Sequence, residues 1–353
     1  MENLKDLNQI QKFLSNNDNA PKNLDTGKIL DAITIEQGIL VERARDVYSF
    51  SHLTLQEYLT AQYIDDHRLV EKLVTEHLTD ERWKEVFLLV AGVMRGGADD
   101  LLLLMEKEGQ KYINTPKLQA LLNWAEEVTV GSQSDYKPVG KRAVAIANAN
   151  LMIDSKHEFS YRKGYSYKLC LLYTNWIIWN NSINIDNCYA YEIAIIEANK
   201  GCISDAIDYT HQLKELAIFN KVNFTMLIKQ LEELKAKVPD EYQIEEVNFN
   251  ELSFNNPISI RLTNTPEGEK LTVAPDKYPS EEAQIFIKIL METLINGFNL
   301  TPEMINLSLE EIKALDNYLY ANHLIIQCKE AAVRVSPTTW ETIEARMLLV
   351  ESN

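Results

Sequence analysis

The stretch Tyr48–Tyr63, YSFSHLTLQEYLTAQY, decides the fold of the first part of this chain. Val47–Phe50 has the composition and alternation of a short strand, and the residues that follow have the periodicity of a helix. His52 lies where the strand runs into the helix. The stretch therefore predicts a strand-to-helix junction with an imidazole placed at it.

The start of this helix carries its own signal. Thr54 and Glu57 have the spacing of a capping box, which predicts a helix that opens at Leu55. Leu53 and Tyr58 flank the box as a hydrophobic staple. We therefore expect Thr54 to be the N-cap residue.

Upstream, Thr26–Gly38 predicts a helix that Gly38 ends. Its apolar side is expected to consist of Ile29, Leu30, Ile33 and Ile35. Ile39–Glu42 and Val47–Phe50 predict a hairpin around Arg43–Asp46. Helix, hairpin and helix together indicate the C-terminal part of a winged-helix domain over residues 23–66, after a polar segment at 1–22.

The remainder predicts a mainly α protein. Residues 67–245 read as successive helices without a fixed period, which indicates an irregular array of helical hairpins. Residues 246–275 contain short strand candidates between Asn, Pro and Gly, and predict a β-rich connector. Residues 276–353 are expected to form a C-terminal α/β module in which helices flank a hairpin.

That second hairpin is predicted from Leu324–Cys328 and Ala332–Val335, with Ser336 and Pro337 opening a last helix. The order repeats that of the first hairpin. Two interpretations remain open: a second winged-helix-like unit, or the common turn from a hairpin into a helix.

Composition narrows the classes of function. The chain has 353 residues and a net charge of −17, which argues against a general nucleic-acid or anionic-membrane surface. The longest apolar run, Val86–Met94, is about half the length of the ~20 residues that a membrane span needs. Four scattered cysteines without metal-ligand spacing indicate reduced thiols. We therefore expect a cytoplasmic protein without a metal site or a membrane partner.

The junction also carries a family signal. The pattern Phe-x-His-x-x-x-Gln-Glu-Tyr closely resembles the end of the winged-helix domain in NACHT-type signalling NTPases, the STAND family that includes animal NLR immune receptors. Leu78–Gly92 resembles the helix that follows this domain in bacterial, especially cyanobacterial, NACHT proteins. Leu315–Cys328 and Val335–Leu348 are similar to a C-terminal region of the same bacterial group.

The resemblance implies that His52 contacts the β-phosphate of ADP when an NTPase domain is present. It implies structural roles for the other motif residues, which are Phe50, Thr54, Gln56, Glu57, Tyr58 and Trp83. The sequence has no Gly-x-x-x-x-Gly-Lys-Ser/Thr loop, so we expect no catalytic residue and no cofactor in this chain. ADP or ATP is implied only for a full-length parent.

The function that follows is that of a regulatory, sensing C-terminal half of such an NTPase, in signal transduction or antiphage defence. Its expected partners are proteins: the missing NTPase domain, and further copies on activation. The alternative is a stand-alone helical adaptor or decoy that binds a full-length NTPase.

Two further features of the sequence concern binding. A winged helix can read DNA with the helix that precedes its wing. Here that helix carries Asp25, Asp31 and Glu36 against one lysine, Lys28, so it would repel phosphate, and we do not expect it to bind DNA. The richest aromatic and basic cluster includes Tyr161, Arg162, Tyr165, Trp176 and Trp179. It predicts either a ligand or partner surface, or packing between helices with snorkelling cations.

Overall fold

The computed structural model describes residues 26–45, 47–153, 200–237 and 281–350. The expected polar segment 1–22 and the β-rich connector 246–275 lie outside these residues. Within the described ranges the chain forms thirteen α-helices and one two-stranded sheet. The prediction of a mainly α fold is confirmed.

The chain divides into two compact units. The first comprises residues up to Leu104 together with Ile326–Ser336, and the second comprises Met105–Ile325 together with Pro337–Asn353.

The first unit opens with the expected helix, hairpin and helix. Its elements are α1 (Thr26–Asp31), which continues as a π-helical turn (Ala32–Glu36), β1 (Leu40–Ala44), β2 (Val47–Phe50) and α2 (Leu53–Asp66). Gly38 has a φ of +63°, a left-handed conformation that glycine adopts without strain, and it ends the first helix as predicted. Leu30 is buried, but Ile35, expected on the same apolar side, is 79% exposed because the wider π turn rotates it outward.

The hairpin is antiparallel, with Leu40 opposite Phe50 and Val41 opposite Ser49. A bulge between Glu42 and Ala44 shifts the register before the turn. The chain then passes from β2 into α2 within two residues, which fixes His52 at the end of the wing.

The remaining helices of this unit are α3 (Val70–His77) and α4 (Lys84–Val93), with a 3₁₀ turn at Glu81–Trp83. Helix α5 (Asp99–Gln110) begins here. Helix α2 packs on α4 through Ala61 and Ile64, and Val86, Phe87 and Val90 are completely buried. Asp80 caps the turn, since its side chain accepts the N–H of Arg82.

The second unit contains the successive helices that the sequence predicts. They are α6 (Pro116–Thr129), α7 (Pro138–Ile153), α8 (Lys200–Glu215), α9 (Phe224–Lys237), α10 (Glu281–Gly297), α11 (Pro302–Ile305), α12 (Leu309–Ala331) and α13 (Pro337–Arg346). The end of α12, from Ile326 onward, belongs to the first unit. Consecutive helices pack as pairs, α6 on α7 and α8 on α9. Phe219, Phe224 and Phe298 meet edge to face, with ring centroids 5.7–6.1 Å apart, and the indole of Trp124 donates to the carbonyl of Phe298 at 2.9 Å.

The predicted second hairpin is wrong. Leu324–Cys328 belongs to α12, which runs without a break to Ala331, and Ala332–Ser336 is not a strand. Leu324, Ile325 and Cys328 are buried, and a helix enclosed on most sides shows the same continuous apolar run as a strand. Both interpretations of the repeated hairpin therefore fail, and the C-terminal module is helical in its described residues.

None of the helices in the described ranges is both long and apolar enough to cross a membrane.

Candidate functional site at the start of helix α2

His52 is the N-cap residue of α2. Its backbone is extended, with φ −132° and ψ 139°, and its carbonyl accepts the N–H of Gln56 at 3.4 Å. The imidazole is exposed. The His52 side chain makes no capping hydrogen bond to the first turn of the helix.

The predicted capping box at Thr54 is therefore wrong. The helix begins two residues earlier than expected, at Leu53, and Thr54 is an exposed residue of its first turn. Glu57 is 8% exposed and is buried rather than turned back to the cap. The expected staple also fails, because Leu53 is 64% exposed and Tyr58 40% exposed.

Burial explains the state of Glu57. Desolvation raises the pKa of this carboxyl group above its ordinary value, and the negative charge of Glu85 on α4 raises it further. Glu57 thus lies between α2 and the helix it packs on, which is a structural position within the motif.

The other motif residues make packing or hydrogen-bond contacts around α2 and the turn before α4. Phe50 is half-buried at the end of β2, and the hydroxyl of Tyr58 accepts a hydrogen bond from the Gln62 amide at 2.9 Å. Gln56 is half-buried in the first turns of α2. Trp83 is half-buried and stacks on His77, with ring centroids 3.9 Å apart and planes 7° from parallel.

One face of α2 was not anticipated from the sequence. Leu59 and Tyr63 lie four residues apart on α2, so both project from the same side of the helix, and His52 lies at the N-cap of the same helix. Leu59 is 37% exposed and Tyr63 49% exposed. We call these three residues the α2 face. Its signal in the sequence was an apolar pair at helical spacing, on the side opposite Glu57, Ala61 and Ile64.

Two further candidates are an aromatic cluster and a metal site. The cluster of Tyr161, Arg162, Tyr165, Trp176 and Trp179 lies outside the described residues. Within the described part of the chain, no group of three or more His, Cys, Asp or Glu side chains could hold a metal ion. The arrangement at α2 places one exposed imidazole at the N-terminus of a helix, beside an apolar surface, which suits binding of an anionic group next to a protein partner.

Helix, two-stranded wing and helix define a winged-helix-type module, followed by helical units. Comparison with protein families gives two matches in agreement with this. Residues 2–64 match the winged helix-turn-helix domain C-terminal to NACHT, and residues 261–350 match the NACHT C-terminal helical domain 2. The chain therefore carries the C-terminal region of a NACHT protein, as the motifs predicted. The bacterial origin stays a prediction.

No curated protein and no solved structure matches the chain.

Proposed function

We propose that this chain is the regulatory part of a NACHT-family signalling NTPase and carries out no chemistry itself. The two matched domains are those that follow a NACHT domain, and the sequence has no phosphate-binding Gly-x-x-x-x-Gly-Lys-Ser/Thr loop. Its task is to hold the nucleotide-binding domain closed until a signal arrives. The observation that carries the proposal is the exposed His52 at the N-terminus of α2.

The physical chemistry of this position favours phosphate. The dipole of a helix is equivalent to roughly half a positive charge at its N-terminus, and its first amides point outward as donors. His52 adds a side-chain donor beside them. Together they complement a nucleotide diphosphate that a separate NTPase domain presents, with ADP or ATP as the parent's cofactor.

The α2 face supplies the rest of the contact. Leu59 and Tyr63 continue from His52 along the helix and are more than a third exposed. A phosphate alone binds loosely in water, and an apolar surface next to it adds the burial that holds two domains together. We assign the α2 face as the surface that docks on the NTPase domain.

Closure through ADP makes the chain a switch. A trigger must bind the open form better than the closed one, by about 5.5 kcal/mol for a nearly complete shift of population. Opening then permits nucleotide exchange and assembly with further copies. The cellular role we propose is signal transduction or antiphage defence in the cytoplasm.

The test is binding of the purified chain to the nucleotide-binding domain of a NACHT NTPase from the same cell, loaded with ADP, with an ATP analogue or with nothing. We expect ADP to give the tightest complex. His52→Ala removes one hydrogen bond to a charged group, worth about 1.5–3 kcal/mol, and should reduce the preference for ADP by about 10- to 100-fold. His211→Ala, an exposed histidine of the second unit, is the control and should change nothing.

A second pair of variants tests the docking surface. Leu59→Ala should weaken the complex by about tenfold with any nucleotide. Leu103→Ala is the matched control, because Leu103 is 38% exposed against 37% for Leu59. Equal affinities for ADP and for the empty domain, unchanged by His52→Ala, would overturn the proposal.

A further inference from the structure

The C-terminal segment 337–350, which contains α13, makes several charged and polar contacts with the rest of the second unit. We call it the C-terminal latch. Of its side chains, Ile343, Met347 and Leu348 are fully buried. Trp340, Leu349 and Val350 are half-buried. Polar contacts add to this apolar anchor, and they are the part of the attachment that salt can weaken.

The central contact is Arg142 on α7, whose side chain is 2% exposed. Its guanidinium donates to the carbonyls of Met347 and Ala345, at 3.0 and 2.9 Å, and to the carboxylate of Glu126 at 2.9 Å. The two carbonyls belong to the end of α13 and the residue after it, where the helix dipole favours a cation. One arginine thus binds two carbonyl groups at the C-terminal end of α13.

Ion pairs hold the outer side of the latch. Arg346 donates two hydrogen bonds to Glu106, at 2.9 and 2.6 Å, and Lys137 donates to both oxygens of Glu344, at 2.9 and 2.7 Å. The cation is about half exposed or more in both pairs. Such contacts are weakened by salt.

The end of the latch is also strained. Leu348 has a φ of +61°, in the left-handed region that a leucine rarely adopts, while its side chain is completely buried. The next carbonyl, of Leu349, accepts long hydrogen bonds of 3.3 Å from Gln110 and 3.4 Å from the hydroxyl of Tyr318. A conformation of this kind persists only while its surroundings hold it, and opening relieves it.

We propose that the C-terminal latch opens and closes as a unit while the rest of the second unit stays folded. Opening uncovers the guanidinium of Arg142, which then loses its two carbonyl acceptors in the latch. The device is independent of His52 and of the proposed nucleotide contact.

Hydrogen exchange of the whole chain, followed by mass spectrometry, tests this. Raising the salt from about 0.1 M to about 1 M shortens the Debye length from about 10 Å to about 3 Å. We expect amides of the latch to exchange about fivefold faster at high salt, because two partly exposed ion pairs weaken, while amides of α6 and α7 keep their rates.

Variants make the test specific. Arg346→Glu should accelerate exchange in the latch alone, and the swapped double variant Arg346→Glu/Glu106→Arg should restore the original rate. Lys221→Ala is the control, since Lys221 pairs with Glu127, the neighbour of Glu126, and does not contact the latch. Latch amides that exchange only together with those of α6 and α7 would show that the segment opens only on global unfolding, and would overturn the proposal.

Discussion

Replacing Arg142 with methionine tests how much of the stability depends on one buried cation. The substitution preserves most of the side-chain volume but removes the donors to Ala345, Met347 and Glu126, at 2.9–3.0 Å. Two carbonyls of the chain end then lose a charged donor, at about 1–3 kcal/mol each. Glu126 is 36% exposed and recovers water, so its loss adds little.

We therefore expect Arg142→Met to lower the free energy of unfolding by about 3 kcal/mol. Urea denaturation followed by tryptophan fluorescence measures this difference. The control Lys221→Ala removes an ion pair with Glu127 in which both side chains are about half exposed or more, and should cost less than about 0.5 kcal/mol. A loss below about 1 kcal/mol for Arg142→Met would show that water replaces the guanidinium and that the reasoning from burial fails.

Three further substitutions are predicted from local geometry. Gly297→Ala should destabilise the chain by about 1–3 kcal/mol in urea denaturation, because the new Cβ would lie 2.5 Å from a methyl carbon of Leu227. The control Gly109→Ala should be tolerated, since the nearest atom to its Cβ would be 3.4 Å away. Equal losses of stability for the two variants would contradict this prediction. Arg68→Gly should stabilise the chain by about 0.5–1 kcal/mol and raise its thermal midpoint, because Arg68 has a φ of +56° in the turn that ends α2. Arg68→Ala keeps the strain of a side chain at positive φ and should not raise the midpoint. An equal rise for Arg68→Ala would refute the role of backbone strain. Glu57→Gln should stabilise the chain at pH 7, because the raised pKa of Glu57 means that the folded state binds the carboxyl proton more tightly and loses stability as the pH rises. In thermal melts this stabilisation should disappear as the pH falls toward 4.5, the ordinary pKa of glutamate. A stabilisation that does not vary with pH would show that titration of Glu57 is not its cause.

Capping boxes show how far local patterns predict this fold. Two boxes of the same form, Thr54 with Glu57 and Ser308 with Glu311, show the difference. The box of Ser308 and Glu311 forms, with backbone-to-side-chain distances of 2.8 and 3.2 Å. The box of Thr54 and Glu57 does not form, because packing of α2 on α4 buries Glu57. The local signal is the same in both cases, and tertiary contact decides which one is used.

The strand predicted at Leu324–Cys328 was wrong for a related reason, since the periodicity of a buried apolar run cannot distinguish an enclosed helix from a strand. At the candidate site, the motif placed His52 at a strand-to-helix junction as the structure has it. The α2 face needed the structure, because exposure of Leu59 and Tyr63 depends on which side of α2 packs on α4. The role of Arg142 was beyond local reasoning, because its carbonyl partners lie more than two hundred residues away along the chain.

The free energy of latch opening limits the loss of stability that Arg142→Met can cause. If the latch opens by itself, the contacts of Arg142 to Ala345 and Met347 are absent from the open state. Removing them then destabilises the chain by no more than the free energy of that opening, because the variant populates the open state instead. The opening free energy from hydrogen exchange therefore sets an upper limit on the loss measured in urea. A loss clearly above this limit would mean that Arg142 also stabilises the packing of α6 and α7, through Glu126, when the latch is open.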